Sequence, residues 1–160
     1  WIGTGIGGGL ILDGNIWRGP LGTGGEFGMS ISEHEPKIKD RVLESFASRS
    51  GLQRVTGIAD LDTEAITIAY NNDEEITFAV NAGAKRIGTS IANVITLLSL
   101  DTVVLGGGLI EALGSPFIQQ IRDQFDTDVF PHHCRSCVFT KTALGPDAGL
   151  LGAADIATHS

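Results

Sequence analysis

The N-terminal part of the chain alternates apolar runs with glycine-rich turns. Two apolar runs flank the segment Asp13-Gly14-Asn15, and an Asp-Gly pair in this setting is a strong signal for a tight β-hairpin. A second glycine-rich stretch follows and ends in an alternating apolar pattern at Phe27, Met29 and Ile31. Because successive side chains of a strand point to opposite faces, this alternation predicts a third strand.

Further along, apolar residues recur every three to four positions, the spacing of one helix face. This periodicity predicts five helices, at 35–52, 63–70, 74–98, 115–125 and 148–157. Pro36 suits the first turn of the first helix, and Ser115 and Pro116 suit the start of the fourth. Gly83 and Gly88 interrupt the long helix, each at a cost of about 1 kcal/mol relative to Ala. We expect both to mark close packing against a neighbour or a ligand.

Two apolar, β-branched runs predict strands at 101–105 and 137–144. The first of these strands stops at three successive glycines. The order of hairpin, helices, strand, helix, strand and helix predicts an α/β fold with a mixed sheet flanked by helices. A length of 160 residues without repeat or linker suits a single domain covering 1–160.

Composition and charge narrow the classes of function. The net charge of −8 disfavours binding to nucleic acid, because an acidic surface repels phosphate backbones. No apolar stretch approaches the roughly 20 residues of a membrane span, and no secretory leader opens the sequence. Two cysteines are too few for a disulfide scaffold, so we expect a cytoplasmic protein.

Two glycine-rich turns carry candidate ligand chemistry. They are the segments GTGIGGG, from Gly3 to Gly9, and LGGGL, which contains Gly106 to Gly108. Glycines let backbone N–H groups approach phosphate oxygens closely, and the hydroxyl of Thr4 can donate as well. The first segment is neither a Walker A loop nor a Rossmann fingerprint, since it lacks Gly-Lys-Ser/Thr and opens a hairpin. A plain tight hairpin entrance remains the alternative interpretation.

Two glutamates are further candidates. Glu26 lies within a glycine loop, GGEFG. A long acidic side chain among glycines suggests a functional role. Glu44 lies among Val42, Leu43 and Phe46 on a predicted helix. The alternative is that Glu44 is a solvated residue on the surface of the helix, because most isolated glutamates are exposed to solvent.

Five segments in order resemble the ROK family, which groups bacterial glucokinases and other sugar kinases with repressors of the same fold. The segments are GTGIGGG, GPLGTGGEFG, LESFAS, VVLGGGL and LGPDAGLLGAA, and the similarity runs from Gly3 to about Ala157. The resemblance implies the C-terminal lobe of an actin/hexokinase-like (ribonuclease H-like) kinase with two lobes around a cleft. Only Trp1 and Ile2 precede the first loop, so we expect the N-terminal lobe to be absent from this chain.

The resemblance also implies roles for individual residues in phosphoryl transfer from Mg²⁺-ATP to a hexose. It implies that ATP is bound by two loops, made of Gly3, Thr4 and Gly5 and of Gly106, Gly107 and Gly108. It implies sugar-binding roles for Glu26 and Glu44, which we expect to face one cleft. No catalytic residue is expected in this chain, because the family's base is an aspartate of the N-terminal lobe. The resemblance also implies a homodimer.

The sequence departs from the family at its zinc site. Met29 stands where many members carry a histidine, and the segment 32–42 lacks the family's cysteines. We therefore expect no zinc and one sugar contact fewer. The cluster His132-His133-Cys134-Arg135-Ser136-Cys137 has CxxC spacing, but no second pair follows at a finger spacing. Plain surface residues are favoured there over a metal site or a disulfide.

Because the zinc motif of the family is missing, other functions have to be considered for this chain. Zinc-free members of the family include glucokinases that use polyphosphate as donor. The alternatives to an ATP-dependent hexose kinase are a sugar-responsive transcription regulator and a non-catalytic binder of sugar or nucleotide. A regulator requires a helix-turn-helix before the kinase-like region, and this acidic chain contains none.

Overall fold

The predicted hairpin forms at the predicted turn. In a computed structural model that describes residues 1–34 and 41–159, strand β1 (Leu10–Leu12) pairs antiparallel with β2 (Asn15–Trp17). Asp13 and Gly14 both adopt positive φ, of 51° and 76°, as the type I′ turn of a two-residue hairpin requires. Local turn chemistry therefore sets this part of the fold.

The rest of the chain is mainly helical, with one parallel strand pair. The elements after the hairpin are a 3₁₀ turn (Phe27–Met29), α1 (Glu44–Ala47), α2 (Arg49–Thr56), α3 (Thr63–Ala69), α4 (Glu74–Leu98), β3 (Thr102–Leu105), α5 (Gly108–Asp128), a 3₁₀ helix (His132–Ser136), β4 (Val138–Lys141), a 3₁₀ turn (Gly145–Asp147) and α6 (Ala148–His159). β3 and β4 run parallel, from Thr102 opposite Val138 to Leu105 opposite Lys141. Parallel and antiparallel pairs thus both occur, as a mixed α/β architecture requires.

Trp1 and Ile2 link the two strand pairs. Trp1 and Gly7 exchange two backbone hydrogen bonds, of 2.8 and 3.0 Å, which is an antiparallel pairing. On its other side, Ile2 donates to the Gly106 carbonyl at 2.7 Å and accepts from the Leu109 N–H at 3.0 Å. This segment therefore lies between the chain that enters β1 and the chain that leaves β3.

Helices α4 and α5 form the centre of the core, and the glycines of α4 explain their close approach. A Cβ on Gly88 would lie 2.5 Å from the Ile121 carbonyl oxygen, and one on Gly83 would lie 3.3 Å from the Ala47 Cα. Both glycines therefore mark close packing against neighbouring helices, as predicted. The largest fully buried side chains include Phe117, Phe125, Ile87, Ile95, Leu109 and Ile121.

Three sequence predictions of secondary structure need correction. The segment Phe27–Met29 is a 3₁₀ turn, and only Ile31 makes an isolated bridge, to Val42. The cause is tertiary, because Gly28 packs directly against the carbonyl oxygen of Ile6. The N–H groups of Met29 and Ser30 donate to the carbonyls of Glu26 and Phe27, as in a 3₁₀ turn, and not to a partner strand.

The described part of the helix predicted at 35–52 contains two shorter helices, α1 and α2. Glu35 and Pro36 lie outside the described residues, and from residue 41 onwards the first helix begins at Glu44. Ser48 is extended and ends α1, while its hydroxyl accepts from the Gly51 N–H and caps α2. The fourth helix begins at Gly108 and is kinked at Gly114, so the predicted start at Ser115 corresponds only to its second part.

Candidate functional site

The first glycine loop is the tip of a tight hairpin. The Gly3 N–H donates to the Gly5 carbonyl at 2.9 Å, and Ile2 bridges to Ile6 in antiparallel fashion. Within the described chain, the N–H groups of Thr4 and Gly5 donate to no protein acceptor. The loop is thus the turn between Ile2 and Ile6, and its tip presents two adjacent N–H groups that can donate to an anion.

The second glycine loop lies directly beside the first. Gly107 has φ of 106° and packs against the main chain of Ile2, whereas Gly3 faces the backbone nitrogen of Gly108. Gly106 is buried beneath the Trp1 indole, since an added Cβ would lie 2.7 Å from a ring carbon. Gly108 alone of these three glycines is exposed. Any ligand at this loop therefore reaches Gly108, while Gly106 and Gly107 fix the packing of the two loops.

Glu44 connects helix α1 to the first loop. Its Oε2 accepts a hydrogen bond from the Ile6 N–H at 2.7 Å, and a Cβ on Gly5 would lie 2.5 Å from the same oxygen. The residue is half-buried. The solvated-helix interpretation of Glu44 is therefore wrong, because the carboxylate lies against the loop and stabilises the peptide that follows Gly5.

Glu26 lies on a loop that packs on the same part of the chain. Gly25 contacts the Gly8 carbonyl, with an added Cβ only 2.7 Å away, and Gly28 packs on the Ile6 carbonyl. The Glu26 side chain is exposed at the rim of a cavity of about 410 Å³. The segments that carry Glu26 and Glu44 therefore both rest on Ile6, one against its carbonyl and the other against its N–H.

Met29 ends the 3₁₀ turn that follows Glu26. Its side chain is 46% exposed, so it is not part of the hydrophobic core. A thioether is only a weak acceptor and donates no hydrogen bond. Met29 can therefore pack against a ligand, but it cannot supply the polar contact of a histidine.

Arg49, which no sequence motif singled out, also lies at the first loop. Its backbone N–H donates to the Gly3 carbonyl at 2.9 Å, and its guanidinium Nη2 donates to Thr4 Oγ1 at 2.6 Å. No sequence signal pointed to it, because the helix predicted at 35–52 placed Arg49 near its C-terminal end. In the structure Arg49 is instead the first residue of α2, whose first turn has no acid, and a cation there interacts unfavourably with the helix dipole.

The His132–Cys137 cluster forms a small structural unit. The Arg122 guanidinium donates to the carbonyls of Cys137 and Arg135, which ties the 3₁₀ helix to α5. Cys134 and Cys137 are free thiols, and burial raises the pKa of the Cys137 thiol. Among residues 1–34 and 41–159, no three His, Cys, Asp or Glu side chains converge as metal ligands would.

No helix in the described part of the chain combines the length and the apolar character of a membrane span. The last helix, α6, is largely exposed along its length although it is rich in Ala and Leu.

The chain is similar in sequence to curated sugar kinases over nearly its whole length. The chain is 28% identical to a glucokinase of Halalkalibacterium halodurans over 94% of its length and 52% of that protein. It is 30% identical to an N-acetylmannosamine kinase of Escherichia coli, over 98% of its length and 54% of that protein. The chain thus spans about half the length of the curated relatives it matches.

A solved structure shares the fold. A ROK family glucokinase from Streptomyces griseus, in complex with glucose and AMPPNP, superposes with a TM-score of 0.81 at 23% identity, covering 99% of this chain and 59% of that one. This likeness confirms the actin/hexokinase-like fold. The ROK family model itself matches residues 1–160, and the chain therefore belongs to the ROK family.

Proposed function

We propose that this chain is the nucleotide- and sugar-binding lobe of a sugar kinase that transfers the terminal phosphoryl group of Mg²⁺-ATP to a hexose hydroxyl. One observation carries the proposal: two glycine loops meet around Ile2, and the carboxylate of Glu44 is anchored to the first of them. A phosphate-binding loop and a polyol-binding carboxylate are thereby adjacent. Transfer of a phosphoryl group to a hydroxyl needs that adjacency, because its catalysis rests on positioning and charge stabilisation.

Each ligand group has a matching protein group in this proposal. The N–H groups of Thr4 and Gly5, which have no acceptor among the described residues, bind the terminal phosphates together with the Thr4 hydroxyl. The adenosine lies against the exposed Gly108. Glu26 and the remaining oxygen of Glu44 accept hydrogen bonds from sugar hydroxyls, which carboxylates bind as charge-assisted pairs.

We further propose that the other lobe supplies the catalytic base and also one strand of this lobe. Within the described chain, β1 pairs only with β2 and β3 only with β4. The free edges of β1 and β3 line one cavity, together with apolar residues of α4 such as Ile91 and Val94. A strand that extends backwards from Trp1 would run antiparallel to β1 and parallel to β3, following the hydrogen bonds that Trp1 and Ile2 already make.

A nucleotide is the favoured donor over polyphosphate. The glucokinase that shares this fold was solved with AMPPNP and glucose, and the named relatives are kinases of glucose and of N-acetylmannosamine. We therefore propose a hexose as acceptor, with glucose as the first candidate.

The test is sugar-dependent ADP formation by the full-length protein. Purified enzyme with Mg²⁺-ATP is assayed against glucose and N-acetylmannosamine, and Glu26→Gln and Glu44→Gln are expected to lower kcat/KM at least tenfold, about 1.4 kcal/mol. Glu75→Gln serves as control, since Glu75 is exposed in the first turn of α4. Sugar binding without any phosphorylation by the wild type, from ATP or from polyphosphate, would overturn the kinase proposal and favour a regulator or a binder.

A further inference from the structure

Arg49 holds a position that structural needs alone do not explain. It is the first residue of α2, with the half-positive end of the helix dipole beside it. Among the residues that the structure describes, it forms no ion pair, and its one side-chain partner is the neutral hydroxyl of Thr4. A guanidinium has five N–H donors, so most of them remain available at the tip of the first glycine loop.

The contact with Thr4 also sets the direction of the Thr4 hydroxyl. Thr4 Oγ1 accepts from the Arg49 Nη2 at 2.6 Å, which occupies a lone pair and leaves the O–H free to donate elsewhere. The N–H groups of Thr4 and Gly5 are also unpaired within the described chain. One cation, one hydroxyl and two amides therefore lie together, and all four can donate to an anion.

The charge of Arg49 counters negative charge that lies close to the loop. The Glu44 carboxylate lies against Gly5 of this loop. Its negative charge would repel a phosphate bound at the tip, and the chain as a whole carries a net charge of −8. A guanidinium at the tip offsets this repulsion and supplies charge-assisted hydrogen bonds to phosphate oxygens.

We propose that Arg49 is a donor-binding residue, which contacts the terminal phosphates of the nucleotide and holds the Thr4 hydroxyl towards them. This inference rests on the proposed kinase function and adds a cation to its phosphate loop. Arg49 then discriminates by phosphate number, so that nucleotides with two or three phosphates gain from it and AMP does not.

The experiment is calorimetric titration of the full-length protein with AMPPNP, AMP and inorganic tripolyphosphate. Arg49→Gln removes the charge and keeps an amide that can donate to Thr4, whereas Arg49→Ala removes both. We expect both variants to lose at least tenfold in affinity for AMPPNP and tripolyphosphate, with AMP within twofold of wild type. Arg49→Lys, which keeps the charge, should recover part of the loss.

Arg54→Ala is the matched control. It lies on the same helix and removes the same charge, but its guanidinium donates to the Ser45 carbonyl and stacks on Phe46. Raising the salt concentration should weaken AMPPNP binding to wild type and to Arg54→Ala more steeply than to Arg49→Gln, because one charged contact is missing there.

The outcomes separate this inference from the function on which it rests. Equal AMPPNP affinity in wild type and Arg49→Gln, or an equal loss for AMPPNP and AMP, overturns the role of Arg49 and leaves the kinase proposal intact. Wild-type protein that binds neither AMPPNP nor tripolyphosphate overturns the proposed function itself.

Discussion

Substitutions of Glu44 can separate its contribution to folding stability from its proposed contribution to ligand binding. Its Oε2 accepts from the Ile6 N–H at 2.7 Å, and Ile6 is only 5% exposed. Glu44→Ala leaves that N–H without its acceptor in a buried setting. Loss of a hydrogen bond to a charged group costs about 1.5–3 kcal/mol, whereas a neutral acceptor retains about 1 kcal/mol of the interaction. We therefore expect Glu44→Ala to lower the free energy of unfolding by about 2–3 kcal/mol, and Glu44→Gln by about 1 kcal/mol.

Ligand binding should follow a different order in the same variants. Glu44→Gln keeps an oxygen for Ile6 but lacks the charge that strengthens bonds to sugar hydroxyls. It should lose at least tenfold in glucose affinity, with AMPPNP affinity within a few-fold of wild type. Glu44→Ala releases the peptide after Gly5, so it should weaken both ligands.

The assays are urea unfolding of the full-length protein, hydrogen exchange of the peptide that contains Ile6, and calorimetry with each ligand. Glu75→Ala is the control, since an exposed substitution changes stability by no more than about 0.5 kcal/mol. Wild-type stability and unchanged exchange at Ile6 in Glu44→Ala would refute the structural reasoning. Unchanged glucose affinity in Glu44→Gln would refute the sugar role.

The glycine contacts and the cysteines give four further predictions. Gly108→Ala adds a methyl group to an exposed position whose nearest neighbour, a threonine hydroxyl, is 3.8 Å away, so it should weaken AMPPNP at least tenfold in calorimetry without lowering the melting temperature. Gly107→Ala must instead place a side chain at φ of 106° against the main chain of Ile2, so it should destabilise the fold by about 1–3 kcal/mol. Unchanged AMPPNP affinity with lowered stability in Gly108→Ala would exclude Gly108 from the proposed nucleotide site. Gly88→Ala should lower the urea midpoint, because overpacking of about 1–3 kcal/mol outweighs a helix-propensity gain of about 1 kcal/mol, and an unchanged midpoint would contradict the α4–α5 contact. Iodoacetamide at pH 8 should modify Cys134 before Cys137, as mass spectrometry can measure, because burial raises the pKa of the Cys137 thiol and the thiolate is the reactive form; faster labelling of Cys137 would contradict its burial.

Elements with strong local signals were predictable from the sequence alone. The bounds of α4 match the predicted 74–98, because apolar periodicity sustained along the whole helix outweighs the cost of two glycines. The β1–β2 hairpin formed at Asp13-Gly14, because the positive φ of its turn suits these residue types. Each of these elements depends on residues near in sequence, which is why pattern and turn chemistry suffice.

Packing between distant segments changed the remaining predictions. The alternation at Phe27, Met29 and Ile31 is typical of a strand, yet the segment Phe27–Met29 is a 3₁₀ turn in which Gly28 packs against Ile6. The extended Ser48 divides the expected helix in two and caps the second half. Just after Ser48, the N–H groups of Arg49 and Ser50 donate to the Gly3 and Thr4 carbonyls. These partners and Ile6 lie far away in the sequence, where a local pattern does not reveal them.

In the candidate site too, some features were predictable from the sequence, whereas others depended on tertiary contacts. The sequence by itself identified two glycine loops and two glutamates, because a cluster of glycines, or an acid within one, stands out from its neighbours along the chain. Tertiary structure decided that Gly107 is buried against Ile2 while Gly108 is open, that Glu44 accepts from Ile6, and that Arg49 reaches Thr4. These contacts join residues far apart in the sequence, and only the packing of α1, α2 and β3 around the first loop brings them within hydrogen-bond or van der Waals distance.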